Sequence, residues 1–175
     1  MPVILVDDGD RPLGVCDKLE AHQKAHLHRA VSVFAFDPGG RLLIQQRAPG
    51  KYHSGGLWSN SACTHPRPGE SNESAAQRSL AEELGLGATD WRYAFPFLYR
   101  ADVGTGLVEH EYDHVFMCCV TADSAPNAEE ASATALTHLA SLRAAMERTP
   151  ELFTPWFRLL LGPVARWRES NALPR

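Results

Sequence analysis

SNSACTHPRPGESNESAAQRSLAEELG, residues 59–85, changes character halfway, and that change decides the fold class. Its first half is rich in Ser, Asn, Pro and Gly and reads as loop. Its second half has the apolar spacing of a helix, with Ser71 or Asn72 at the N-cap and Gly85 closing the C-terminus. Working backwards, VSVFAF (31–36) and RLLIQQR (41–47) flank Asp37-Pro-Gly-Gly40, two strands around a turn. Further back, PVILV (2–6) and RPLGV (11–15) flank an Asp-Gly turn and predict a hairpin, and Asp17 caps a short helix reaching His26. Working forwards, strands are expected at about 91–99 and 108–121, separated by a Gly-rich turn near Gly104. Residues 127–135 are polar, weakly patterned and receive no element. Two helices close the chain, near 137–147 and 155–170, punctuated by Pro150 and Pro155. No repeat or long linker divides the chain. The expectation is a single α/β (α+β) domain, residues 1–175, with a mixed sheet flanked by helices.

The remaining arithmetic fits this. A chain of 175 residues, 44% hydrophobic and 22% charged, is ordinary globular material. It can bury roughly 70% of its unfolded surface and needs no disulfide to fold. Lys+Arg 17 against Asp+Glu 21 argues against a protein that coats nucleic acid or acidic lipid. No apolar run reaches the roughly 18 residues of a membrane span, and MPVILVDDGD has no basic start for a secretory signal. The four cysteines, at 16, 63, 118 and 119, form no paired framework, so a reducing cytoplasm is expected. Eight histidines are a surplus.

Four short stretches hold metal-competent groups: His22/His26/His28, Cys63/His65, Glu82/Glu83 and Glu109/Glu111. On a strand, Glu109 and Glu111 project from one face while His110 points away; in an extended segment Cys63 and His65 share a face too. Adjacent carboxylates repel, and a divalent cation relieves them. Imidazoles mixed with carboxylates suit a six-coordinate Mn2+ or Mg2+, with Zn2+ as the alternative. Spacing alone equally describes surface histidines beside a solvated acidic strand. By the same standard Cys63 reads as a packing cysteine or a reactive one, and Trp156 as core or site.

Taken together, AHQKAHLHRAVSVF (21–34), SNSACTHPRPGESNE (59–73), RSLAEELG (78–85), YRADVGTGLVEHEYDHVF (99–116) and Thr154-Pro-Trp156 resemble type 1 isopentenyl-diphosphate Δ-isomerases of the Nudix superfamily. The resemblance runs from about Lys18 to Trp156 and implies a Nudix-like fold. The Nudix box, G-x5-E-x7-R-E-U-x-E-E-x-G-U with U aliphatic, falls on Thr64, Glu70, Arg78, Ser79, Leu80, Glu82, Glu83, Gly85 and Leu86. Thr64 replaces the opening Gly. Ser79 replaces a metal-holding Glu of Nudix hydrolases, which counts against hydrolysis; the isomerases more often carry Arg there, so one expected cation is missing.

By position the resemblance implies metal ligands His22, His28, His65, Glu109 and Glu111, with His26 the competitor in the first cluster. Glu83 is implied to hold a second Mg2+ that bridges to the substrate diphosphate, and Lys18, Arg47 and Lys51 to bind that diphosphate. Cys63 and Glu111 match the catalytic pair, Tyr99 stands beside the glutamate, and Trp156 covers the hydrocarbon. The implied reaction, in isoprenoid biosynthesis, interconverts isopentenyl and dimethylallyl diphosphate. Moving the double bond through a tertiary carbocation requires an acid, a base, exclusion of water and something to stabilise positive charge. An indole face beside such a cation is worth roughly 2 kcal/mol when desolvated. The expected partner is a small diphosphate, with neither nucleic acid nor membrane, for a monomer or weak dimer.

Overall fold

The computed structural model describes residues 1–171. In chain order the elements are β1 (Pro2–Val6), β2 (Pro12–Asp17), α1 (Lys18–Gln23), β3 (His28–Phe36), β4 (Leu42–Arg47), β5 (Trp58–Ser59), β6 (Ala62–Thr64) and α2 (Asn72–Leu84). They continue with β7 (Thr89–Gly104), β8 (Leu107–Cys119), β9 (Ala131–Thr137), α3 (Leu139–Arg148) and α4 (Pro155–Ser170). The architecture is the expected mixed sheet flanked by helices.

Strand β3 is the hub. It runs parallel to β8 along its whole length, from His28 opposite Glu111 to Phe36 opposite Cys119. On its other side it meets β1, β6 and β4 in turn, all antiparallel. Side-chain alternation on β3 and β8 then feeds two cores. Phe34, Phe36, Val115 and Met117 face α3 and α4, whose Phe157, Leu160 and Val164 are fully buried. Val31, Val33, Phe116 and Cys118 face α2 through Ala76, Leu80 and Leu84. Burying each large apolar side chain contributes about 2 kcal/mol. At the end of the first face nearest His28 the apolar residues give way to His28, Glu109 and Glu111, all buried. That polar corner is the candidate site.

Several boundaries moved for physical reasons. The helix expected to reach His26 ends at Gln23, because Ala25 takes a left-handed φ of 52° and turns the chain into β3. Strand β3 starts at His28, earlier than the apolar pattern suggested, since His28 pairs with both Leu5 and Glu111. Residues left without an element contribute β9, which pairs with β4. Helix α2 matches expectation: Ser71 Oγ accepts from Ser74 N at 3.1 Å, and Gly85 closes it at φ 66°. A side chain at Gly85 would also meet Ala125 O at 2.9 Å.

Candidate active site

His22 lies on α1, His28 opens β3, and His65 follows β6, so three distant segments bring imidazoles to one corner. Backbone carbonyls fix two of the tautomers. His22 Nδ1 donates to Lys18 O at 2.7 Å, and His28 Nδ1 donates to His26 O at 2.8 Å. Each ring therefore turns its Nε2 inward. His65 Nε2 stands 3.2 Å from His28 Nε2 and 3.1 Å from Glu111 Oε1, while its buried Nδ1 has no partner. A single N–H can serve that gap, between atoms that otherwise present lone pairs to one another. Burial drives the His65 pKa down to about 3 and lowers that of His22 as well, so these two rings are neutral and ligand-competent.

One ligand atom from each of His22, His28, His65 and Glu111 falls within 4.8 Å of the others. Opposite donors on a first-row ion are about 4.2 Å apart, so the spacing suits one cation. Glu109 does not join that spacing; it groups instead with His22 and His53. Tyr99, opposite Glu111 on β7, donates its phenol toward both carboxylates, 2.7 Å from Glu111 Oε2 and 2.9 Å from Glu109 Oε2. One phenol proton cannot satisfy both, and burial with the Glu111 charge pushes Glu109 well above the usual carboxylate range. Burial alone would raise Glu111 too, but His28 and His65 hold it well below. Together these groups fit a divalent ion: neutral imidazoles and two carboxylates, with backbone and phenol bonds orienting them from behind.

Cys63 sits on β6 opposite Ser32, with its thiol 3.6 Å from Ser32 Oγ, and burial pushes that thiol well up. The thiol donates to Asn60 Oδ1 at 3.1 Å, as does Trp156 Nε1 at the same distance. The Asn60 amide nitrogen is itself held by Val33 O and Ala62 O. Trp156 occupies the first turn of α4, where Pro155 starts the helix and Thr154 N donates to Trp58 O. Cys63, Glu111, Tyr99 and Trp156 line one small cavity, together with His22, His65, Glu109 and Arg47.

A second, more open cavity adjoins it, sharing Lys18, Arg47, Cys63 and Thr64. Lys51 and Glu83 line it, with Arg67 and Arg78 among its other cations. Lys51 pairs with Glu130, and burial lowers the Lys18 pKa, a cost that a bound anion would offset. Glu83 donates nothing; it accepts from Gln45 Nε2 at 2.7 Å, and burial raises its pKa to about 7. Ser79 is 1% exposed, donates to Ala76 O within α2 and faces away from this cavity. Arg67, whose Nη2 is 3.5 Å from Glu82 on the rim, stands where charge is wanted.

Each residue to which the resemblance assigns a metal, diphosphate or catalytic role lies at one of these two adjoining cavities or, for His28, in the cluster behind them. His26 stays outside, exposed, offering only its carbonyl. The sequence reading missed His53, Tyr52, Asn60 and Asp113. His53 and Tyr52 sit in a Gly/Ser-rich loop with no periodic neighbour, and only the excess of histidines pointed that way. Asp113 continues the Glu109/Glu111 alternation, a signal that was there to extend; burial pushes its pKa well above the carboxylate range.

The sheet, the α2 box and the buried ligand cluster define a Nudix-class protein, and the NUDIX domain family model matches residues 26–157. Solved structures agree at the level of fold: a Deinococcus radiodurans protein superposes with a TM-score of 0.78 at 20% identity, covering 93% of this chain and 98% of that one. The MutT protein of Methanosarcina mazei gives 0.65 at 18% identity, covering 84% and 96%. Among sequence relatives, isopentenyl-diphosphate Delta-isomerase 2 of Aromatoleum aromaticum is 44% identical over 169 residues, 97% of this chain and 89% of its own. The isopentenyl-diphosphate Delta-isomerase of Serratia proteamaculans is 45% identical, covering 97% of both chains. The chain belongs to the isopentenyl-diphosphate Delta-isomerase family within the Nudix fold.

Proposed function

We propose that this chain interconverts isopentenyl and dimethylallyl diphosphate, with Cys63 and Glu111 as the proton-transferring pair. The supporting observation is that these two groups, carried by β6 and β8 on either side of β3, line the same cavity. The reaction adds a proton to the terminal CH2 of the alkene, leaving a tertiary cation, and removes one from C2 to form the new double bond. Because it is reversible, each group is acid in one direction and base in the other. Tyr99 passes or holds the proton at Glu111 Oε2, and the Trp156 indole faces the cation. Its ring already holds the Arg47 guanidinium 5.2 Å from its centroid.

His22, His28, His65, Glu109 and Glu111 would hold a divalent ion, which supplies the positive charge that lets two buried carboxylates coexist. Lys18, Arg47, Lys51 and Arg67 would bind the diphosphate, and Glu83 would hold the Mg2+ that accompanies it. The tail chemistry is thereby anchored in the outer cavity while the five-carbon end enters the inner one. Free thiols at all four cysteines suit a reducing, cytoplasmic setting, and among the described residues no helix is long and apolar enough to cross a membrane.

The test is to follow isopentenyl diphosphate by NMR with wild type, Cys63→Ala and Glu111→Gln. The expected outcome is product with wild type and a loss of 10²-fold or more in each variant, on the order of a general acid–base contribution. Wild-type rates in both variants would remove the assigned pair.

A further inference from the structure

We propose that His53 is a fourth imidazole ligand of the metal centre, making it a six-donor set of four nitrogens and two carboxylates. This rests on the metal-centre reading above and extends it. His53 is 7% exposed, although it sits in a loop whose neighbours Tyr52 and Gly55 are open to solvent. Its ring stacks on His22 at 5.6 Å between centroids, 29° from coplanar. Its Nε2 points at Glu109 Oε1 from 3.6 Å, too far for a hydrogen bond yet close to the separation of neighbouring ligands on one ion. One ligand atom from each of His22, His53 and Glu109 lies within 4.8 Å of the others.

The loop is built to hold the ring there. His53 Nδ1 lies 3.2 Å from Ser54 Oγ, Arg47 Nη2 donates to His53 O at 3.3 Å, and Ser54 adopts a left-handed φ of 52°. His22 belongs both to the group with His53 and Glu109 and to the group of His22, His28, His65 and Glu111, and so joins the two into one centre.

The composition of the set names the class of ion. Four imidazoles disfavour Mg2+, which prefers oxygen and retains its waters; six donors disfavour tetrahedral Zn2+. A six-coordinate first-row ion such as Mn2+, Fe2+ or Co2+ remains, leaving Mg2+ to travel with the diphosphate.

The experiment loads purified wild type, His53→Phe and His53→Gln with Mn2+ or Co2+ alone. Metal content and chelator competition give stoichiometry and affinity, and X-ray absorption counts imidazoles. The expected result is four imidazoles in wild type, three in each variant, and an affinity loss of about 10–100-fold. His53→Phe keeps the stacking volume and His53→Gln keeps polarity, while the wild-type count stands without either. Three imidazoles in wild type with unchanged affinity in the variants would overturn the role of His53 and leave the centre intact. Wild type that binds no ion would overturn the centre itself.

Discussion

Asn60 is fully buried, and its amide oxygen takes the Cys63 thiol, the Trp156 indole and the Ser59 hydroxyl, each at 3.1 Å. Its amide nitrogen is spoken for by two backbone carbonyls, so the side chain cannot flip without losing five bonds. One residue thus fixes the direction of the thiol of the proposed proton-transferring pair and of the aromatic wall. Asn60→Ala is expected to lower kcat by about 10²-fold while KM changes little, because a misplacement near 1 Å costs that much and the diphosphate contacts lie elsewhere. Steady-state kinetics separate the two parameters; Ser59→Ala, which removes only one of the donors, should stay near wild type. At this scale the sequence was informative where spacing carried the signal, as for Glu109/Glu111 and Cys63/His65. Asn60 and His53 were not legible, because nothing in a Gly/Ser-rich loop says which side chains turn inward until the loop is folded over β3.

At the scale of elements, the start of α2 holds most of its charge in one place. Glu70 accepts from Arg78 Nε at 2.7 Å and Nη2 at 2.9 Å and from Arg67 N at 2.8 Å. The Arg78 guanidinium, working against partial burial, brings the Glu70 pKa down to about 2. A carboxylate depressed in the folded state stabilises the fold above its unfolded pKa of about 4.3 and loses that stabilisation as pH falls toward 2. Glu70→Gln is therefore expected to cost about 2 kcal/mol at pH 7 and almost nothing near pH 2, read from urea melts at the two pH values. Helix α2 was legible because Ser71 and Gly85 mark its ends locally. Strand β9 was not: ASATALT has little alternation, and only its pairing with β4 makes it a strand. The parallel register of β3 on β8 was also out of reach, since His28 and Glu111 become opposite partners only through a crossover that contains half the domain.

For the whole molecule, the ligand cluster ties α1, β3, the segment after β6, and β8 at one corner. An ion that binds only the folded chain stabilises it by about 2.7 kcal/mol when present at 100 times its dissociation constant. Chelation followed by thermal melts should lower Tm, and restoring Mn2+ should recover it; Cys63→Ala, outside the ligand set, should respond as wild type does. The same corner bears on how a chain of net charge −4 takes a diphosphate: Lys18, Arg47, Lys51, Arg67 and Arg78 are gathered at one cavity, where they outnumber Glu82, Glu83 and Glu130. The central claim is that the double bond moves by protonation and deprotonation inside the neighbouring cavity. Running the reaction in D2O and reading the product by 2H NMR addresses it at the level of atoms. One deuteron in the methyl group formed from the terminal CH2 is the expected result; dimethylallyl diphosphate free of deuterium after a single turnover, or released phosphate in its place, would refute the account.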